Sequence, residues 1–75
     1  MEQDNINWEL MVKSVLKGEL KKRSITYVDL CMKLKNLGVR ETPENIANKL
    51  SRGRFTAVFF MQCLKAIDCK EIKLF

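Results

Sequence analysis

The sequence predicts a single all-α domain of four short helices, and three observations carry that reading. In four successive segments the apolar residues return every three or four positions, the period of one helix face. Each segment opens on Asn or Thr, side chains that cap helix N-termini, and two of the four close on glycine. An alternating polar and apolar pattern occurs only at the end of the chain, so no second strand exists with which to build a sheet.

The first helix is expected over about residues 7–22. Trp8, Met11, Val12, Val15, Leu16 and Leu20 form its apolar stripe, Asn5 or Asn7 can cap it, and the stripe runs through Gly18. On this reading Trp8 belongs to the core. The second helix, about 27–37, starts with Thr26 and Asp29 spaced as a capping box, and Ile25 and Leu30 stand at hydrophobic-staple positions. Leu30, Cys31, Leu34 and Leu37 make its buried face, and Gly38 supplies a left-handed stop.

The third helix, about 43–52, has the clearest start. Thr42 is the N-cap, Pro43 the first helical residue, and Glu44 sits near the positive end of the helix dipole. Ile46, Ala47 and Leu50 point inward and Gly53 closes the helix. The fourth, about 57–68, begins at Thr56, with Phe55 and Phe60 as a staple and Phe59, Cys63, Leu64 and Ile67 as its apolar face. The tail from Glu71 to Phe75 alternates and reads as a short strand over 71–75. Repeats, linkers and low-complexity segments are lacking.

Composition excludes several classes of function. A chain of 75 residues makes one domain and buries only roughly 60% of its unfolded surface. Cys31, Cys63 and Cys69 are odd in number and lie inside apolar patterns, as buried thiols of a reducing compartment do. With no histidine, no close cysteine pair and no carboxylate cluster, neither a metal nor another cofactor is expected. Catalysis is not expected either, since Ser and Cys lack a positioned base and no Gly-rich phosphate loop is present. The opening residues, Met1 to Asn5, are acidic and lack the apolar run of a signal peptide. No apolar stretch approaches the roughly 20 residues that span a bilayer. A cytoplasmic protein without a membrane partner is the expectation.

Charge points toward a polyanion. The net charge is +5, and it is unevenly spread. The first eleven residues carry Glu2, Asp4 and Glu9 with no base, while Lys13 to Arg54 holds eleven bases against Glu19, Asp29, Glu41 and Glu44. Such an excess recruits nucleic acid by counterion release. Four short helices, with the second and third joined by a Gly-containing turn, also meet the requirements of a helix-turn-helix. With its apolar side committed to the core, the third helix presents Asn45, Asn48, Lys49 and Arg52 on the other side. Asn pairs with the edge of adenine, Lys and Arg donate to guanine, and Glu44 can accept from cytosine. Glu44, Asn45, Asn48 and Lys49 are therefore the candidate base readers, and Arg40, Arg52 and Arg54 the candidate phosphate contacts. Lys13, Lys17 and Lys21 form a like-charged ladder on the first helix that reads as a solvated face, eased by Glu9 before Lys13. Phe55, Phe59 and Phe60 with Trp8 are assigned by their spacing to packing rather than to stacking on single-stranded bases.

The stretch from Thr26-Tyr27-Val28-Asp29-Leu30 through Ile46-Ala47-Asn48-Lys49-Leu50-Ser51-Arg52-Gly53 resembles the lambda-repressor-like, Cro-type helix-turn-helix family. The interval from Cys31 to Ala47 is longer than that pattern has, with the extra residues around Leu37 to Glu41. The whole chain is similar to a group of short bacterial proteins that share the block from Asn48 to Leu64, a group that implies no activity. The first resemblance implies sequence-specific binding of double-stranded DNA by a small transcriptional regulator. The rival reading is a protein-interaction module, antitoxin-like or accessory to a phage or plasmid, gripping its partner with an exposed helix. A homodimer is the expected state, since the lone tail strand needs a partner and two recognition helices give specificity that one lacks. The alternative for the tail is an extended cap on its own core.

Overall fold

The computed structural model describes residues 6–74, folded as α1 (Trp8–Lys22), α2 (Tyr27–Asn36), α3 (Pro43–Arg52) and α4 (Ala57–Ala66). The architecture is all-α, as the periodicity requires. Asn5, the alternative first cap, and Phe75, the end of the expected strand, lie outside the described residues.

Every helix starts on local side-chain chemistry. Asn7 Oδ1 accepts from the Leu10 amide at 2.9 Å, Thr26 from Asp29 at 3.1 Å, Thr42 from Asn45 at 3.1 Å, and Thr56 from Phe59 at 3.0 Å. The Asp29 carboxylate returns the bond to the Thr26 amide, completing the capping box. That amide holds the Asp29 carboxyl below its ordinary pKa. The staple at α4 is visible as Phe55 and Phe60 rings stacked with centroids 6.1 Å apart.

Three of the helix ends share one closure. At α1, α2 and α4 the chain turns through a left-handed residue, Ser24, Gly38 and Asp68 respectively. The residue after it returns its amide to a carbonyl of the last turn: Ile25 to Leu20, Val39 to Leu34, Cys69 to Leu64. This is the Schellman arrangement, in which the following apolar residue folds back on the helix. Ile25, Val39 and Cys69 accordingly pack on the core. The closure also explains why α2 and α4 stop earlier than 37 and 68, and why Leu37 is exposed. Leu37 caps α2, so Val39 takes the inward position expected of it.

The core is Leu16 and Leu20 of α1, Leu30 and Leu34 of α2, Ile46 and Leu50 of α3, and Phe59, Cys63 and Leu64 of α4, with Ile67 beyond it. Each fully buried aliphatic side chain contributes about 1.5–3 kcal/mol. α3 packs on both α1 and α2, and α2 on α4. Burial, with Glu41 adding to it, pushes the Cys63 thiol up to about 12. All three cysteines are free thiols.

Two expectations are corrected. Trp8 is not core: it is 61% exposed, standing at the first position of α1, ahead of the turns that carry Leu16 and Leu20 into the core. Residues 69–74 form no strand, since a single chain offers nothing for them to pair with. Instead Ile72 packs against the core, the extended-cap alternative for the tail. Among the described residues, no helix is long and apolar enough to cross a membrane.

Candidate nucleic-acid interface

α3 combines a completely buried stripe with a polar face, and its rigid placement follows from contacts at both ends. Ile46 and Leu50 are buried, while Glu44, Asn45, Asn48, Ser51 and Arg52 are exposed. The Pro43 start and the Thr42 cap fix the entry of the helix. At the exit, Gly53 adopts φ +66° and lies against the backbone of Glu9, so close that a Cβ there would stand 2.2 Å from the Glu9 carbonyl oxygen. Lys13 Nζ donates to the Ser51 carbonyl at 3.1 Å, placing a cation at the negative end of the α3 dipole.

The expected site residues divide in two. Glu44, Asn45, Asn48 and Arg52 share the exposed face, and Arg52 makes no ion pair among the described residues. Lys49 behaves differently. It stands at the border of that face, and its ammonium turns inward to pair with the Glu41 carboxylate and to lie 4.3 Å from the centre of the Phe59 ring. Glu41 itself is 91% buried, its side chain retaining only 9% exposure, and its Oε1 has no hydrogen-bond partner. The same carboxylate raises the Cys31 and Cys63 thiols, in each case after burial. Lys49 is thus committed to tying the connection 37–42 to α3 and α4.

Of the phosphate candidates, Arg40 is exposed on that connection. Arg54 pairs through Nε with Glu9 Oε2 at 3.3 Å, in an open geometry in which Arg54 remains 76% exposed. Glu9 therefore answers Arg54 rather than Lys13. On α1, Lys17 and Lys21 are exposed, whereas Glu19 binds both Lys22 at 3.3 Å and Arg23 at 2.5 Å. The Arg23 bond holds the Glu19 carboxyl below its ordinary range.

Two features escaped the sequence reading. Ser51 shares the exposed face with Asn48, three positions before it, and that spacing could have found it. The second is a groove of about 660 Å³ between the start of α1, the α3–α4 turn and the tail. The assignment of Trp8 to the core hid it. Among the described residues, no three His, Cys, Asp or Glu side chains gather as metal ligands do.

A domain of four capped helices, one of them with an exposed polar face opposite a buried stripe, is the class that this geometry defines. The chain belongs to the DUF6471 family, described as a domain of unknown function, which it matches over residues 8–72. No curated protein and no solved structure matches it.

Proposed function

We propose that this chain binds double-stranded DNA, as a small transcriptional regulator does, by laying the exposed face of α3 in the major groove. One observation carries the reading. Glu44, Asn45, Asn48, Ser51 and Arg52 stand clear of a core that buries the opposite side of the same helix, and that helix is anchored at both ends. Among them Asn is suited to the edge of adenine, Glu to cytosine and Ser to either partner of a pair. Two asparagines on the exposed face of so short a helix cost helix stability without packing in return, which favours a use in recognition. Arg52, Arg40 and Arg54 supply phosphate contacts around this face, Arg54 by exchanging Glu9 for a phosphate. Lys49 leaves the base-reading set, because reaching a base would strip Glu41 of the cation it pairs with.

Selection of bound duplex from a random pool, followed by two substitutions on the exposed face, tests the reading. Asn48→Ala should cost about 1–3 kcal/mol on the selected site and relax base choice at one position. Arg52→Ala should weaken all duplexes alike and lower the slope of log affinity against log salt by roughly one. An Asn48→Ala loss that is equal on selected and random duplex removes the base-reading role. Failure to bind any duplex at low salt removes the function altogether.

A further inference from the structure

We infer that the groove beside Trp8 is the seat of a second copy of this chain, so that two domains pair about a two-fold axis through the start of α1 and the tail. The floor of the groove is apolar, with Val12 and Val15 of α1, Phe60 of α4 and Ile72 of the tail. Its lip carries two apolar side chains that the fold leaves in water, Trp8 at 61% and Leu74 at 50% exposure. Monomers rarely leave a large aromatic ring standing beside an apolar concavity unless something covers both.

The lip identifies what does so. A two-fold interface uses one patch twice, so the patch must be its own complement in shape and in charge. Here projection and hollow occur side by side: the ring of Trp8 from one copy can enter the hollow of the other, with Leu74 flanking it. Among the described residues the charged side chains lining the groove are Glu9 and Arg54, one of each sign, already paired and both open enough to exchange partners across the axis. A chain of net charge +5 repels its own copy over most of its surface. Among the described residues lining the groove the one cation is already paired, so the linings of two copies can meet without a like-charge contact. Within the groove an acidic partner would meet only that paired cation, and a basic one would have to displace Arg54 from Glu9. A standard interface takes about 800 Å² from each partner, and one aromatic ring supplies about 150–250 Å² of that. Trp8 is therefore the anchor of the pairing.

This arrangement also settles the tail differently from strand pairing. Leu74 and Ile72 act through side chains placed in the groove, and Trp8, which strand pairing would not involve, becomes essential. The dimer does not depend on DNA binding, so either reading can fail alone.

Trp8 is the single tryptophan, so its fluorescence reports the interface directly. Sedimentation and emission spectra of the full chain without DNA, from nanomolar to high micromolar concentration, should show a monomer becoming a dimer as the emission moves to shorter wavelength. Trp8→Glu, at the first position of α1 where a carboxylate suits the helix dipole, should weaken dimerisation by at least about thirtyfold, as loss of a buried aromatic anchor does. Leu74→Glu keeps the reporter and should abolish its concentration dependence. Both positions are exposed, so the melting curve of the dilute monomer should stay unchanged in each variant. A chain that remains monomeric throughout overturns the inference, as does one whose Trp8 emission moves only on addition of an apolar ligand such as decanoate. A dimer that survives both substitutions overturns it equally and places the contact elsewhere.

Discussion

At its N-terminal end α3 is held by side chains, and at its C-terminal end by the close approach of two backbones. Thr42 caps the first turn, and Lys49 reaches back from the helix to Glu41 in the connection before it. These are contacts that another side chain of suitable length and polarity can replace. At the other end Gly53 sits on the Glu9 backbone with no room for a single carbon. The contrast teaches where the orientation of α3 is decided. The long connection 37–42 leaves the N-terminal end adjustable, whereas the Gly53 contact fixes how the helix lies across α1. Any role for the exposed face of α3 depends on that second contact, although it is remote from Asn45.

The sharpest way to break the comparison is to put side chains on two glycines that both have positive φ. Gly53 has φ +66° and the Glu9 backbone within 3 Å of where a Cβ would stand, while Gly38 has φ +81° and open space at that position. Gly53→Ala incurs the left-handed penalty and forces α1 from α3, about 3 kcal/mol or more. Against a total stability on the order of 5–10 kcal/mol, that unfolds much of the protein at physiological temperature. Asn tolerates left-handed backbone, so Gly38→Asn should lose only a few tenths of a kcal/mol. Gly53→Asn should be as damaging as alanine, because the obstacle there is space as well as φ. Thermal and denaturant melts of the three variants check this. Rescue of position 53 by Asn would show that conformation alone makes glycine necessary.

A smaller effect belongs to the Glu41–Lys49 pair. Lys49→Met strands a carboxylate that is 91% buried and whose Oε1 already lacks a partner. The expected loss is about 1–3 kcal/mol, less than for a fully buried pair because Lys49 is more than one-third exposed. Replacing both residues by Met should recover most of it, since two apolar side chains of similar volume leave no charge behind. A double-mutant cycle measures the coupling. If the double variant is no better than Lys49→Met alone, the pair acts through packing on Phe59 rather than through charge.

Much of this was legible before the structure, for a physical reason. Helix starts are set by chemistry within four residues, so Asn7, Thr26, Thr42 and Thr56 could be read directly, and the two glycine stops with them. The stops at Ser24 and Asp68 were hidden, because nothing in those residues asks for positive φ. It is imposed by Ile25 and Cys69 folding back onto the core. Periodicity placed Trp8 on the correct side of α1, but it cannot say whether another helix lies opposite. Lys49 misled for a related reason: a helical wheel locates its Cα, not the end of a long side chain drawn to a carboxylate eight residues earlier. On α3 the exposure expected of Glu44, Asn45, Asn48 and Arg52 is what the structure shows, and Lys49 turns away from that face.

The smallest expected effect concerns Lys13, which with the Arg54–Glu9 pair makes the electrostatic contacts at the backbone-held end of α3. Its ammonium donates to the Ser51 carbonyl, in the last turn of the helix, where an exposed cation is worth about 0.3–1 kcal/mol at low salt. Lys13→Gln should therefore lose no more than that in a denaturant melt. The loss should shrink as salt is raised to about 1 M, where the screening length falls to roughly 3 Å. Lys17→Gln is the control. Lys17 is exposed between Lys13 and Lys21 at repulsive spacing, so its removal should be neutral or slightly stabilising. The sum of these effects is far below that expected for Gly53→Ala, as it must be if backbone contact rather than charge holds this end. A Lys13→Gln loss that persists undiminished in high salt would assign the contribution to the aliphatic stem packed between α1 and α3, and would make this end of the helix depend on side chains after all.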